Sequence, residues 1–313
     1  MRTTEKGKGV RTVEHMGAMM QDLKKRIDEM RIKTPTFTSE AQPVKCQKCQ
    51  DTGTINAIRW VEREDYQYKG EPFRHQVAII ENCSCHYDRQ FERYNAAAKF
   101  SSKEASHTFK TAIIDDENRP YFEVAVAFVR NIDQHMQDGT WLYLFGDEFR
   151  AKNESEKRGE QISAYGTGKT YLMQCIANAL SVRKIPAIYV NEEELFGDIK
   201  ATYDRNSDDS EQDVLRRYYS IPILMIDDLF SAQYTTWAEG KLFSILDARV
   251  DESKVTIITS NYATGRISNR LPVNGGKIAS RIIGQAQLIE MIGTDRRRTI
   301  ARKRRKDRLE EAN

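Results

Sequence analysis

The chain has 313 residues, 39% of them apolar and 30% charged, with a net charge of +3. That is room for one sizeable domain and a smaller one, and the charged fraction reads as a soluble protein. No apolar run reaches the ~18 residues of a membrane span, and the start, MRTTEKGKGV, lacks the apolar core of a signal peptide. Cytoplasmic residence and no membrane partner are therefore the expectation.

The first predicted element is a helix over 13–32, where Val13, Met16, Met20, Leu23, Ile27 and Met30 recur at spacings of three and four. Residues 33–44, with two prolines among small polar residues, read as a linker. Then come two tight cysteine pairs, Cys46/Cys49 and Cys83/Cys85, while Cys175 lies alone on an apolar helix face. Tight pairs in a reducing compartment are metal ligands before they are disulfides. Four thiolates suit a tetrahedral structural Zn²⁺, and His75 or His86 stands as an alternative to one of them. A short module so poor in apolar residues draws its fold largely from the metal. A second helix is predicted over 86–99.

Beyond Ser101 the chain alternates between strand and helix patterns, the signature of an α/β fold with a parallel sheet. Strands are predicted at 141–145, 186–190, 222–226, 254–259 and near 287–292, and helices at 121–135, 169–181, 192–201, 236–249 and 276–283. Residues 165–170, YGTGKT, open one of these helices. Glycines there let successive N–H groups turn toward phosphate oxygens, aided by the positive end of the helix. Tyr165, Gly166, Thr167, Gly168, Lys169 and Thr170 are thus candidate nucleotide ligands, with Lys169 on the β- and γ-phosphates and Thr170 on Mg²⁺. Asp227 and Asp228 end a buried strand, where a Walker B pair holds metal and orients water. Asn261 ends another strand and is able to help position that water.

The loop lacks its opening glycine, because Ser163 stands at that spacing, and residues 157–164 are no strand. Removing 148–164 joins Gly146 and Asp147 to Tyr165 and restores the full motif, so these 17 residues read as an insertion within the phosphate loop. Its mixture of four acidic and four basic residues predicts a solvated excursion. Three readings stand: the insertion loops out and catalysis survives; it disrupts the loop and leaves a non-hydrolysing docking protein; or it is absent from the working protein. The segment lacks the nucleophile and terminal asparagine that polypeptide self-splicing uses.

The blocks LYLFGD, YGTGKTYLMQCIANAL, ILMIDDLFSAQYTTWAEGKLFSILDARV, TIITSNY and IASRI resemble the DnaC/DnaI-type replicative helicase loaders of the AAA+ class. The related IstB transposition ATPases share much of this, and the resemblance runs from about Cys46 to Arg297. The layout CxxCxDTG…CxC is also similar to the loaders' zinc-bearing N-terminal part, a module that IstB proteins lack. The resemblance implies a AAA+ P-loop core that self-associates with ATP at subunit interfaces. Asp227 would be the metal-linked acid, Asp228 would activate or orient water, and Asn261 would be sensor 1. Arg281 matches the arginine finger given to a neighbour's nucleotide, and Arg297 best matches sensor 2, with Arg296 a register away. Phe230 departs from the glycine that the family places after DDL.

The implied function is ATP-dependent loading of a hexameric replicative helicase onto single-stranded DNA, in a bacterium or its phage. The implied organisation is a helicase-docking zinc module over 1–100, a AAA+ domain over 101–298 and a basic tail over 299–313. The methionines of 13–32 suit either an adaptable helicase contact or packing on the zinc module. The basic run from Arg296 to Arg308 suits phosphate contacts with steep salt dependence, and no aromatic is interleaved there for base stacking. The alternatives are an IstB-like transposition ATPase and a docking protein with a dead nucleotide site.

Overall fold

The computed structural model describes residues 45–68, 71–204 and 208–311. The helix expected at 13–32 and the linker at 33–44 lie outside the described residues. Residues 45–51 form a tight turn in which the Asp51 carboxylate accepts the N–H groups of Lys45 and Cys46, both at 3.0 Å.

Strands β1 (Thr54–Tyr68) and β2 (Glu71–Asn82) pair as an antiparallel hairpin, followed by helix α1 (Ser84–Arg93). This helix stops short of the expected residue 99. Tyr94 leaves the helical region, at φ −129° and ψ 86°, and its carbonyl accepts the N–H of Ala187 at 3.1 Å. The Asn95 side chain then takes the N–H of Ala97, a local turn that competes with helix continuation.

The remainder is built on five parallel strands: β3 (Trp141–Phe145), β4 (Ala187–Asn191), β5 (Ile223–Leu229), β6 (Val255–Ser260) and β7 (Ala286–Glu290). Their order is β4-β5-β6-β3-β7, so the expected α/β class with a parallel sheet is what forms. The helices are α2 (Arg119–Arg130), α3 (Ile132–Asp138), α4 (Glu148–Arg158), α5 (Lys169–Val182), α6 (Glu192–Ala201), α7 (Glu211–Ser220), α8 (Thr236–Asp251), α9 (Gly275–Gln285) and α10 (Arg296–Glu311). Single turns lie at Ser102–Ala105 and Ile267–Arg270. The helix expected at 121–135 is two, because Asn131 departs from helical geometry at φ −94° and ψ 16°. Arg183 donates to the Val129 carbonyl at 2.6 Å, which satisfies a group freed by that break.

Both faces of the sheet are covered, which is why its strands read as unbroken apolar runs. Trp141, Tyr143, Leu224, Ile226 and Ile258 join the core under α6, α7, α8 and α9. The alternate residues Leu142, Leu144, Ile223, Met225 and Ile257 face α2 and α5 on the other side. The carboxyl ends of the strands therefore share one edge, which carries Gly146, Asp227, Asp228 and Asn261.

One buried cation helps to hold the opposite edge. Arg249 is fully buried, and its guanidinium donates to the carbonyls of Tyr218 (2.7 Å), Ile221 (2.9 Å) and Val255 and to the Thr256 hydroxyl (2.9 Å). It thereby closes the end of α7 against the starts of β5 and β6. Arg249→Met leaves those carbonyls buried without their donor. It is expected to cost about 3 kcal/mol or more, read as a lower urea midpoint at unchanged slope; a loss under about 1 kcal/mol would contradict this role.

Candidate nucleotide site

The site is built where β3 ends. Gly146 donates its N–H to the Ser260 carbonyl at 3.1 Å. A Cβ on Gly146 would stand 2.5 Å from the Ala164 carbonyl oxygen, so only glycine admits that approach. Asp147 turns outward and caps α4, accepting the N–H groups of Phe149 (2.9 Å) and Arg150 (3.1 Å). Gly159, at φ 68°, ends that helix in the left-handed conformation that a C-terminal glycine favours. Ser155 receives the Ile162 N–H on the return at 2.9 Å. Ser163 then exchanges both backbone hydrogen bonds with Gly293, at 2.7 and 2.9 Å, and Ala164 is buried against Gly146.

The segment 148–164 is a solvated excursion, as expected, but an ordered one: a capped helix with a folded return. Its charges are spent on the surface, where Glu154 pairs with Lys157 and Arg158, both at 3.2 Å. Its two small apolar residues, Ala151 and Ala164, are the ones it buries.

The phosphate loop proper follows. Gly166 and Gly168 have φ of 67° and 102°, the left-handed conformation that lets consecutive N–H groups converge on an anion. No side chain caps the start of α5, and the buried Thr167 hydroxyl has no hydrogen-bond partner. Those donors suit a polyphosphate at a helix N-terminus. Lys169 is only 8% exposed and donates to the Ala164 carbonyl at 2.7 Å. Ala164 thus occupies the position five residues before the lysine that the rejoined motif gives to Asp147. Burial pushes the Lys169 ammonium down to about 8; Asp228 and Asp227 oppose the shift, and Arg297 adds to it.

Facing the loop, Thr170 donates to Asp227 at 3.2 Å, which also accepts the hydroxyls of Tyr189 (2.8 Å) and Thr259. A buried carboxylate beside a hydroxyl matches the hard oxygen donors that Mg²⁺ takes. Asn261 donates its amide to Asp228 at 2.8 Å. The structure therefore brings Lys169, Thr170, Asp227, Asp228 and Asn261 together at one edge.

The turn after Asp228 explains the departure at Phe230. Asp228 and Phe230 have φ of 53° and 74°, a conformation that costs a side chain energy. The Phe230 ring is fully buried. The Glu192 carboxylate accepts the N–H groups of Phe230 (3.1 Å) and Ala232 (2.8 Å) and the Tyr234 hydroxyl. Burial raises the pKa of Glu192 despite these donors. Arg270 donates to the carbonyls of Phe230 (3.2 Å), Ser231 (3.1 Å) and Ala232 (2.8 Å). Sequence reasoning missed Glu192 and Arg270; the available signal was an acid directly after a strand and a buried aromatic where glycine is usual.

Of the arginines, Arg297 acts on Lys169 through its charge, whereas Arg296 is tied to Asp115 (2.8 Å) and Glu117 (3.5 Å). Arg281 is not in this cluster; it donates to Asp247 at 2.8 and 2.6 Å and lies over the Phe243 ring.

Cys46, Cys49, Cys83 and Cys85 offer sulfurs that all lie within 4.8 Å of one another, and none is in a disulfide. Zn–S bonds of about 2.3 Å at tetrahedral angles place sulfurs about 3.8 Å apart, so the donor set fits a structural zinc. Neither His75 nor His86 belongs to the group.

Residues 161–272 match the family model of the bacterial DnaA ATPase domain. The replicative helicase loader DnaI of Bacillus subtilis is 22% identical over 61% of this chain and 58% of its own length. The replicative helicase loader DnaC of Buchnera aphidicola is 26% identical over 39% of this chain and 52% of its own. The chain thus spans little more than half the length of these relatives. A crystal structure of DnaI is 25% identical, with a TM-score of 0.48 over 66% of this chain and 99% of that one. The chain is a distant homologue of the DnaI and DnaC loaders, with a AAA+ ATPase fold.

A lysine at about 8 gives the site a pH signature. A polyphosphate needs the ammonium, which the free protein loses as pH rises through that value. ATP affinity is expected to fall above about pH 8, approaching tenfold per unit. Titration calorimetry between about pH 7 and about pH 9.5 checks it, and a flat profile would contradict it.

Proposed function

We propose that this chain is an ATP-dependent helicase loader, which places a hexameric replicative helicase on single-stranded DNA. The observation that carries the reading is the convergence of Lys169, Thr170, Asp227, Asp228 and Asn261 at the carboxyl edge of a parallel sheet, in a chain homologous to proteins named as loaders. The four-cysteine group favours a loader over an IstB-like ATPase. ATP with Mg²⁺ supplies the phosphoryl group and the charge that offsets its oxygens when it is bound.

The chain's own residues take the remaining roles. The N–H groups of 166–170 hold the phosphates, whereas those of Gly146 and Tyr165, expected as ligands, are spent on Ser260 and Ser163; Lys169 exchanges the Ala164 carbonyl for phosphate oxygens, and Thr170 and Asp227 are the magnesium ligands. Asp228 orients the attacking water and accepts its proton, and the Asn261 amide fixes the direction of that carboxylate. Arg297 stabilises charge on the nucleotide from within the subunit. Arg281 does so for a neighbouring subunit once it leaves Asp247, which makes the working form a self-oligomer. Residues 1–100 form the zinc-bearing helicase-docking module, 101–298 the ATPase, and 299–313 the basic end that contacts DNA phosphates.

Of the three readings of 148–164, we take retention with a working loop. Ala164 supplies the contact to Lys169 that continuity with Asp147 would have given, and residues 165–170 stay contiguous. Lys169→Ala is expected to abolish ATP hydrolysis and helicase loading while leaving co-purification with a hexameric replicative helicase intact. Loading by the variant would identify a docking protein with an idle site, and capture of a transposase in place of a helicase would overturn the loader reading.

A further inference from the structure

The insertion does more than leave and return. Its first residue, Glu148, accepts a hydrogen bond at 3.2 Å from the hydroxyl of Tyr165, the residue that follows its last. The two ends of the 17-residue detour are thus joined by side chains in addition to the backbone contact of Gly146 with Ala164. The Tyr165 N–H is fixed as well, donating to the Ser163 hydroxyl at 2.9 Å.

The insertion is anchored outward at two further points, and Asp147 just before it at a third. Arg150 pairs with Glu290 at the end of β7 at 2.5 Å. Arg266 pairs with Asp147 at 3.6 Å and lies over the Phe149 ring, 5.2 Å from its centroid. Glu148 therefore sits at the start of a helix that is held on the body of the protein, and it passes that position to the loop.

We propose that Glu148 and Tyr165 are positioning residues for phosphoryl transfer, a clasp that fixes the first residue of the contiguous phosphate loop. In an unbroken loop the peptide bond between Asp147 and Tyr165 would do this. Here the bond is absent and the hydrogen bond replaces its constraint. The phenol remains a donor, since burial and then the neighbouring Glu148 carboxylate raise its pKa. Tyr262 and Asp228 raise it further, more weakly. Lys169 and Thr170, which grip the inner phosphates, begin α5 and do not depend on the clasp.

The inference rests on the nucleotide-site reading and predicts a split between chemistry and binding. Tyr165→Phe and Glu148→Ala are each expected to lower kcat for ATP hydrolysis about three- to tenfold, with ADP affinity held within about twofold. The double variant is expected to be no worse than the weaker single one, and Glu148→Gln, which keeps an acceptor, to retain most of the rate. Both side chains are exposed in part, so unchanged thermal midpoints are expected and serve as the check on folding. Single-variant rates within about twofold of the parent overturn the clasp, as do additive losses that track ADP affinity. Lys169→Ala, assayed alongside, separates the two levels. If it hydrolyses ATP normally, the nucleotide-site reading fails and the clasp with it. If it is inactive while the clasp variants are not impaired, the clasp alone fails.

Discussion

The nucleotide edge depends on one close approach, the Ala164 carbonyl lying against Gly146. An added Cβ at Gly146 would come within 2.5 Å of that oxygen, so the contact exists only because the residue after β3 is glycine. The same oxygen receives the Lys169 ammonium. A single carbonyl thus links the strand end, the return of a detour and the lysine that defines the site. The detour itself is inexpensive, since closure entropy grows only slowly with loop length, and the bridge of Ser163 with Gly293 fixes where it ends.

A second constraint lies across the site. The carboxylates of Asp227 and Asp228 are useful only if the chain turns sharply after them, and it does so through two residues with positive φ, Asp228 and Phe230. Neither is glycine. The strain is held by groups from elsewhere: Glu192 beneath the turn, Arg270 on its carbonyls and the buried Phe230 ring. Strain of this sort persists where the surroundings over-determine it. Helices α8 and α9 carry the Asp247–Arg281 pair, which keeps the candidate arginine finger occupied within its own subunit.

The sequence made the sheet legible because its strands are buried on both faces, and long apolar runs such as IPILMIDD have few other interpretations. The phosphate loop and the strand-end acids were legible for the same reason, since they sit at fixed offsets from those strands. The structure of 148–164 was not legible. A capped helix with two buried alanines has almost the composition of a solvated loop, and what distinguishes it is the capping by Asp147 and Gly159. At the split of the helix expected at 121–135, the freed Val129 carbonyl is taken by Arg183, fifty-four residues away in the chain. The role of Glu192 was missed because its partners lie about forty residues further along. Long-range satisfaction of backbone groups leaves no local pattern in a sequence.

The central claim is that a phosphate loop interrupted after its second residue is nonetheless a working nucleotide site. Titration of the intact chain with ATP, beside a chain lacking 148–164, tests it most directly. The account predicts one ATP site per intact chain, as in the deleted chain, where Asp147 takes the place of Ala164 five residues before Lys169. No binding by the intact chain, with binding restored by the deletion, would contradict it.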